Sequence, residues 1–215
     1  MSSSLFSSAD ERPDERHTVQ EDIEWCDVWL PHLNEHRLPR VLLIGDSITK
    51  GYYSQVEELL EGAAYVGRIA TSRSVGDIVL LRELDAVLEH NRFDIIHFNN
   101  GLHGWHFSEI EYQRHFPALL ATLGKHQPQA KLIWATTTPM RVAGDLPKFD
   151  SRTERVQKRN EIALQFAQKA GIFVNDLFQI AHAHTDYFSD DGVHFNAAGT
   201  SALAAPVAAA IRAML

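Results

Sequence analysis

The stretch Arg40-Val-Leu-Leu-Ile-Gly-Asp-Ser-Ile-Thr-Lys-Gly51 limits the fold more than any other part of the chain. Val41 to Ile44 is an unbroken aliphatic run. Such a run, without polar alternation, reads as a strand covered on both faces, as at the centre of a parallel sheet. The strand stops at Gly45, and Asp46 and Ser47 stand where the chain must turn. Open α/β sheets bind ligands at the carboxyl ends of their strands. A serine placed there can offer both a hydroxyl nucleophile and a backbone N–H to one reacting group. Taken alone, Asp46-Ser47 is the kind of pair that usually forms a polar turn or a helix cap.

The rest of the chain alternates in the same style. Residues 64–70, 93–98, 131–136 and 172–174 read as further strands. Between them lie helical patterns: 56–60, ending near Gly62, and a segment with Leu80, Leu81, Leu84, Val87 and Leu88 on one face. A third follows the capping box Ser108/Glu111, with Pro117 kinking it or marking its first turn. A fourth follows a second box, Ser151/Glu154, and an alanine-rich helix ends the chain. Parallel neighbours need right-handed crossovers, which these helices supply. The expected fold is α/β: a three-layer α/β/α, flavodoxin-like, five-stranded parallel sheet in order 2-1-3-4-5, as a single domain.

Residues 1–20 are predicted to be a disordered tail. Residues 21–39 are predicted to be a helical extension carrying Ile23, Trp25, Val28, Trp29 and Leu33, able to pack on the sheet or to join a homo-oligomer. Residues 40–215 form the expected main domain, with 137–148 a long loop. Cys26 is expected as a buried small hydrophobe beside Trp25 and Trp29.

Net charge and motif content remove several function classes. A formal charge of −8 with no basic stripe argues against a nucleic-acid partner. No apolar run approaches the roughly 20 residues that span a bilayer, so no membrane partner is expected. The amino terminus lacks a signal-peptide pattern, and a lone cysteine suits a reducing compartment, so the expected location is cytoplasmic. His103 with His106, or His182 with His184, could pair as ligands. Neither pair has a His-Glu-x-x-His or cysteine context, so no metal is expected.

Asp191-Gly-Val-His194 is the second informative stretch. A carboxylate three residues before a histidine can accept its Nδ1–H and leave Nε2 free to take a proton from a serine hydroxyl. A capping Asp beside a surface His is the plainer alternative, and Asp190 is a rival orienting group. Gly76 lies between the second strand and its helix, where an N–H can meet an anion. Asn99 ends the third strand with an amide donor. With the Ser47 N–H, these would make a three-donor oxyanion hole.

In order, Gly45-Asp46-Ser47, Gly76, Asn99 and Asp191-x-x-His194 make the chain, from Arg40 to Leu215, similar to the SGNH (GDSL) hydrolase superfamily. The resemblance implies a serine esterase that needs no cofactor and no metal. Ser47 would be the nucleophile, His194 the general base and then acid, and Asp191 its orienter. The oxyanion would be held by the Ser47 and Gly76 N–H groups and the Asn99 amide. The third block departs from the family's Gly-x-Asn-Asp, reading Phe98-Asn-Asn-Gly-Leu-His-Gly-Trp105, which leaves Asn100 as an alternative donor. By this analogy the substrate is a short-chain, acetyl-type ester of a small molecule or oligosaccharide, with Asn100, His103, Trp105 and Arg141 as candidate contacts. A lysophospholipase or acyl-thioesterase would be a same-class reading. A non-catalytic sugar-binding or scaffolding member, or a flavin-binding protein, would be a reading from another class. No Gly-x-Ser-x-Gly elbow is present, which disfavours the ordinary α/β-hydrolase architecture.

Overall fold

The computed structural model describes residue 13 and residues 19–215. The strands are β1 (Cys26–Trp29), β2 (Arg40–Gly45), β3 (Tyr65–Thr71), β4 (Ile95–Phe98), β5 (Lys131–Ala135), β6 (Arg141–Val142), β7 (Asp145–Phe149) and β8 (Phe173–Asn175). The helices are α1 (Ser47–Leu59), α2 (Ile78–Leu88), α3 (Glu109–His126), α4 (Arg152–Lys169), α5 (Leu177–His182) and α6 (Ala197–Arg212). The main sheet runs β1-β3-β2-β4-β5-β8, and all its pairings but β1–β3 are parallel. Numbered among themselves, the parallel strands take the expected order 2-1-3-4-5.

The central strand shows why four aliphatic residues in a row were needed. Successive side chains of a strand leave on opposite faces. Val41 and Leu43 join a core with Tyr52 and Val56 of α1 and Leu203, Val207 and Ile211 of α6. Leu42 and Ile44 join a second core with Leu80 and Leu84 of α2 and Phe116 and Leu119 of α3. All four are at most 2% exposed, so β2 is the spine of a three-layer sandwich.

Several local expectations change. Residues 21–39 hold no helix; Cys26–Trp29 instead pairs antiparallel with β3, in the register Cys26↔Thr71 to Trp29↔Arg68. Edge N–H and C=O groups of β3 would otherwise lack partners, and this long-range pairing overrides the helical spacing. Asp27 anchors the strand by ion pairs to Arg68 at 2.8 Å and Lys50 at 2.7 Å. As a result Ile23, Val28, Trp29 and Leu33 are exposed. Cys26 is likewise exposed rather than a core residue. Burial around the thiol and the neighbouring Glu83 nevertheless push its pKa up to about 12. The expected tail, 1–20, lies outside the described residues apart from Pro13, Val19 and Gln20.

The Ser108/Glu111 capping box is formed, and Pro117 lies inside α3. Ser151 makes no cap bond. Asp150 does that work, accepting from Arg152 N at 2.8 Å. The expected loop 137–148 contains a hairpin, β6–β7. Helix α1 begins at Ser47 itself, a full nine residues ahead of the predicted 56–60 segment, because Lys50 and Gly51 interrupt the apolar pattern without breaking the helix. Among the described residues no helix is long and apolar enough to cross a membrane.

Candidate active site

Asp46 caps α1, its Oδ1 accepting from Ile48 N at 2.9 Å. Ser47 is thereby the first helical residue at the end of the central strand. The helix-cap reading of Asp46-Ser47 holds, and because Asp46 makes the cap bond the Ser47 hydroxyl is left to another partner. His194 Nε2 lies 2.9 Å from Ser47 Oγ, across 147 residues of sequence. His194 Nδ1 lies 2.7 Å from Asp191 Oδ2. Asp191 Oδ1 accepts from Val193 N at 2.8 Å and His194 N at 2.9 Å, which fixes the carboxylate beneath the ring. Partial burial pushes the Asp191 carboxyl up, but the bonds from the His194 ring and these two N–H groups outweigh it, and the group sits below its ordinary range. Among the described residues Asp190 contributes only its carbonyl, to Gly144 N at 3.1 Å.

The loop carrying Asp191 and His194 is braced from behind by the hairpin. Arg141 N donates to Gly192 O at 2.7 Å. Gly192 has φ +73°, and a Cβ there would lie 2.1 Å from Arg141 O, so only glycine fits. The Arg141 side chain, 4% exposed, stacks between Phe149 and Phe188 and donates to Leu146 O and His182 O. Arg141 is therefore not the substrate contact expected; it is buried scaffolding for the histidine loop.

Among the described residues neither the Ser47 nor the Gly76 N–H has a protein acceptor. A helix leaves its first N–H groups without intrahelical partners, so the Ser47 donor follows from its position. Gly76 packs under Phe107, where a Cβ would stand 2.6 Å from the ring. Asn99 differs from expectation. Its Nδ2 already donates to Ala135 O at 2.7 Å and Thr137 Oγ1 at 3.0 Å, engaging both amide hydrogens. Asn100 ties down the neighbouring turn, donating to Arg73 O at 2.8 Å and accepting from Val75 N at 3.1 Å.

Of the remaining rim residues, His103 Nδ1 meets Glu21 Oε2 at 2.9 Å, and Gly104 N donates to Glu21 Oε1 at 2.8 Å. Trp105 packs on the α1–α6 core, with Arg152, Arg155 and Arg159 over its ring. His182 stacks on Phe149 and Phe178, and His184 on Tyr187. Among the described residues no group of three or more His, Cys, Asp or Glu is arranged to hold a metal ion.

A family model described as GDSL-like lipase/acylhydrolase matches residues 43–202. The chain belongs to this family. It is accordingly a serine hydrolase acting on carboxylic esters. None of the curated proteins compared with this GDSL-like hydrolase matches it significantly. Similar solved structures include the native aryl esterase of M. smegmatis, at 14% identity and TM-score 0.65 over 82% of this chain and 100% of that one. The acetyl xylan esterase AlAXEase is 19% identical, with TM-score 0.63, over 80% of this chain and 99% of that one. The lipase/acylhydrolase from Enterococcus faecalis is 16% identical, with TM-score 0.63, over 81% and 96%. At such identities the likeness concerns the fold.

The hydrolase also uses residues that the sequence did not flag. Arg159 is fully buried and donates to the carbonyls of Gly101, His103, Gly104 and Phe107. Arg155 adds bonds to Trp105 O and Phe107 O and an ion pair with Glu109 at 2.6 Å. Together they hold the 101–107 loop against the Gly76 turn. Their only sequence signal, basic residues four apart on one helix, is indistinguishable from a solvated face.

Proposed function

We propose that this hydrolase is an esterase for short acyl groups, acetyl among them, and works through an acyl-enzyme on Ser47. The observation that carries the reading is the unbroken chain of contacts from Asp191 Oδ2 through the imidazole to Ser47 Oγ, at 2.7 and 2.9 Å. His194 takes the Ser47 proton as Oγ attacks the ester carbonyl, and Asp191 stabilises the imidazolium. The developing oxyanion is met by the Ser47 and Gly76 N–H groups. The Asn99 amide joins them only by releasing its bond to Thr137. As the tetrahedral species collapses, His194 returns the proton to the leaving alcohol oxygen. It then deprotonates a water that attacks the acyl carbonyl, and the acid leaves with Ser47 restored.

Two features support the substrate class. The cleft beside Ser47 and His194 has a volume of about 50 Å³, well below the usual size of drug-like pockets, which suits a short acyl chain. His194 and Asp191 have side chains about half exposed, so a bulky alcohol such as a sugar can approach from solvent. An acetyl xylan esterase among the similar structures is in keeping with such a substrate. The test is turnover of p-nitrophenyl acetate and of acetylated oligosaccharides by wild type and Ser47→Ala. Equal rates in the two proteins would remove the reading. Activity rising with acyl chains beyond eight carbons would redirect it to a lysophospholipase or acyl-thioesterase.

A further inference from the structure

Gly51 has no structural reason to be glycine. It lies inside α1, no positive φ is required there, and no heavy atom of the described residues stands within 4 Å of where its Cβ would be. Glycine is among the poorest helix formers, so an open interior position would ordinarily be held by another residue. Ser47 and Gly51 are one turn apart and share a helix face. A helical side chain leans toward the amino terminus, over the turn preceding its own Cα. A side chain at position 51 would therefore lie across the space beside Ser47. That space is the cleft between α1 and α6, lined by Ser47, Ile48, Gly51 and Tyr52 on one helix, Thr200 and Leu203 on the other, and His194 and Phe195 from the loop before α6. Its lining is mostly apolar: Ile48, the Tyr52 ring, Phe195 and Leu203.

We propose that this slot between α1 and α6 receives the alkyl part of the acyl group, and that the missing side chain at Gly51 sets the longest chain admitted. The inference rests on the acyl-enzyme reading above. An apolar slot fits an alkyl chain and not a hydroxyl-rich alcohol, and the neighbouring rim is open for the latter. Gly51→Leu fills the slot from its open side, Gly51→Ala fills part of it, and Thr200→Ala widens the α6 wall. Gly124, a glycine of α3 that also has open space at its Cβ, provides the control, Gly124→Ala.

The readout is the ratio of kcat/KM for p-nitrophenyl butyrate over p-nitrophenyl acetate. One methylene in an apolar pocket changes discrimination by about tenfold or more, so Gly51→Leu is expected to lower the ratio at least about tenfold. Gly51→Ala should fall between, Thr200→Ala should raise the ratio, and Gly124→Ala should leave it in place. A ratio within twofold of wild type in Gly51→Leu overturns the inference. So does a loss that follows the size of the alcohol instead of the acyl chain. A measurement without turnover separates this from the esterase reading. In Ser47→Ala, p-nitrophenyl butyrate should shift the Thr200 and Leu203 methyl resonances, and adding Gly51→Leu should abolish the shift. Shifts that persist in the double variant, or never occur, sink the slot assignment whatever the catalytic result.

Discussion

The oxyanion assignment at Gly76 can be tested through its packing. In Gly76→Ala the new Cβ would stand 2.6, 2.7 and 2.9 Å from three ring carbons of Phe107, against a normal carbon–carbon contact of about 3.5–4.0 Å. About 1 Å of movement is required, and both sides are held. Phe107 O is bonded to Arg155 and Arg159, while Val75 N is bonded to Asn100 and Asp77 N to Ser74 O. Displacing an oxyanion donor by that distance removes it, which costs about 100- to 1,000-fold in kcat. Overpacking adds about 1–3 kcal/mol of destabilisation, or a few degrees in Tm for a chain of this size. The assay is kcat and KM on p-nitrophenyl acetate, with Tm measured alongside. We expect the loss in kcat with KM little changed. Phe107→Ala vacates the site of the clash, so the double variant should recover at least about tenfold over Gly76→Ala, a coupling read by a double-mutant cycle. Gly76→Ala retaining kcat within threefold of wild type, or a double variant no better than Gly76→Ala, would refute the reasoning.

Two further outcomes follow from buried polar groups. His97 is fully buried, and desolvation lowers its pKa from 6.5 to about 3. The unfolded chain therefore binds a proton near pH 6.5 that the folded protein refuses. Stability is intact above that pH and declines below it by about 1.4 kcal/mol per unit until the folded pKa is reached. His97→Gln keeps an acceptor for Asn175 and should flatten the urea-midpoint profile between pH 7 and 4.5; superimposable profiles would contradict this. Arg159→Met removes four bonds to the loop and leaves the Gly101 and His103 carbonyls without a donor among the described residues, and breaking a buried charged network costs about 3–5 kcal/mol, so Tm should drop by about 10 °C. A drop under about 2 °C would mean the loop is held by other means.

What could be read from the sequence was what depends on local pattern. The aliphatic run 41–44 identifies the central strand because burial on both faces leaves no other residues acceptable there. The Asp191-x-x-His194 spacing is equally local, since one turn of loop brings the carboxylate under the ring. What could not be read depends on distant partners. Asn99 looks like a free donor until Ala135 O and Thr137 Oγ1, on a neighbouring strand and its loop, are seen to take both its hydrogens. Arg141 looks like a loop cation until Phe149 and Phe188 close over it. The segment at 26–29 has helical spacing, yet an unfilled sheet edge recruits it.

The hairpin that braces the histidine loop has a consequence for how the molecule fails. Its ties to that loop, through Arg141 and Gly144, belong to a two-stranded ribbon separate from the main sheet. Small ribbons open at lower free energy than the framework they sit on. The enzyme can thus be silenced by a hinge-like loosening that leaves its spine and both helical layers in place, and such silencing would be reversible on cooling.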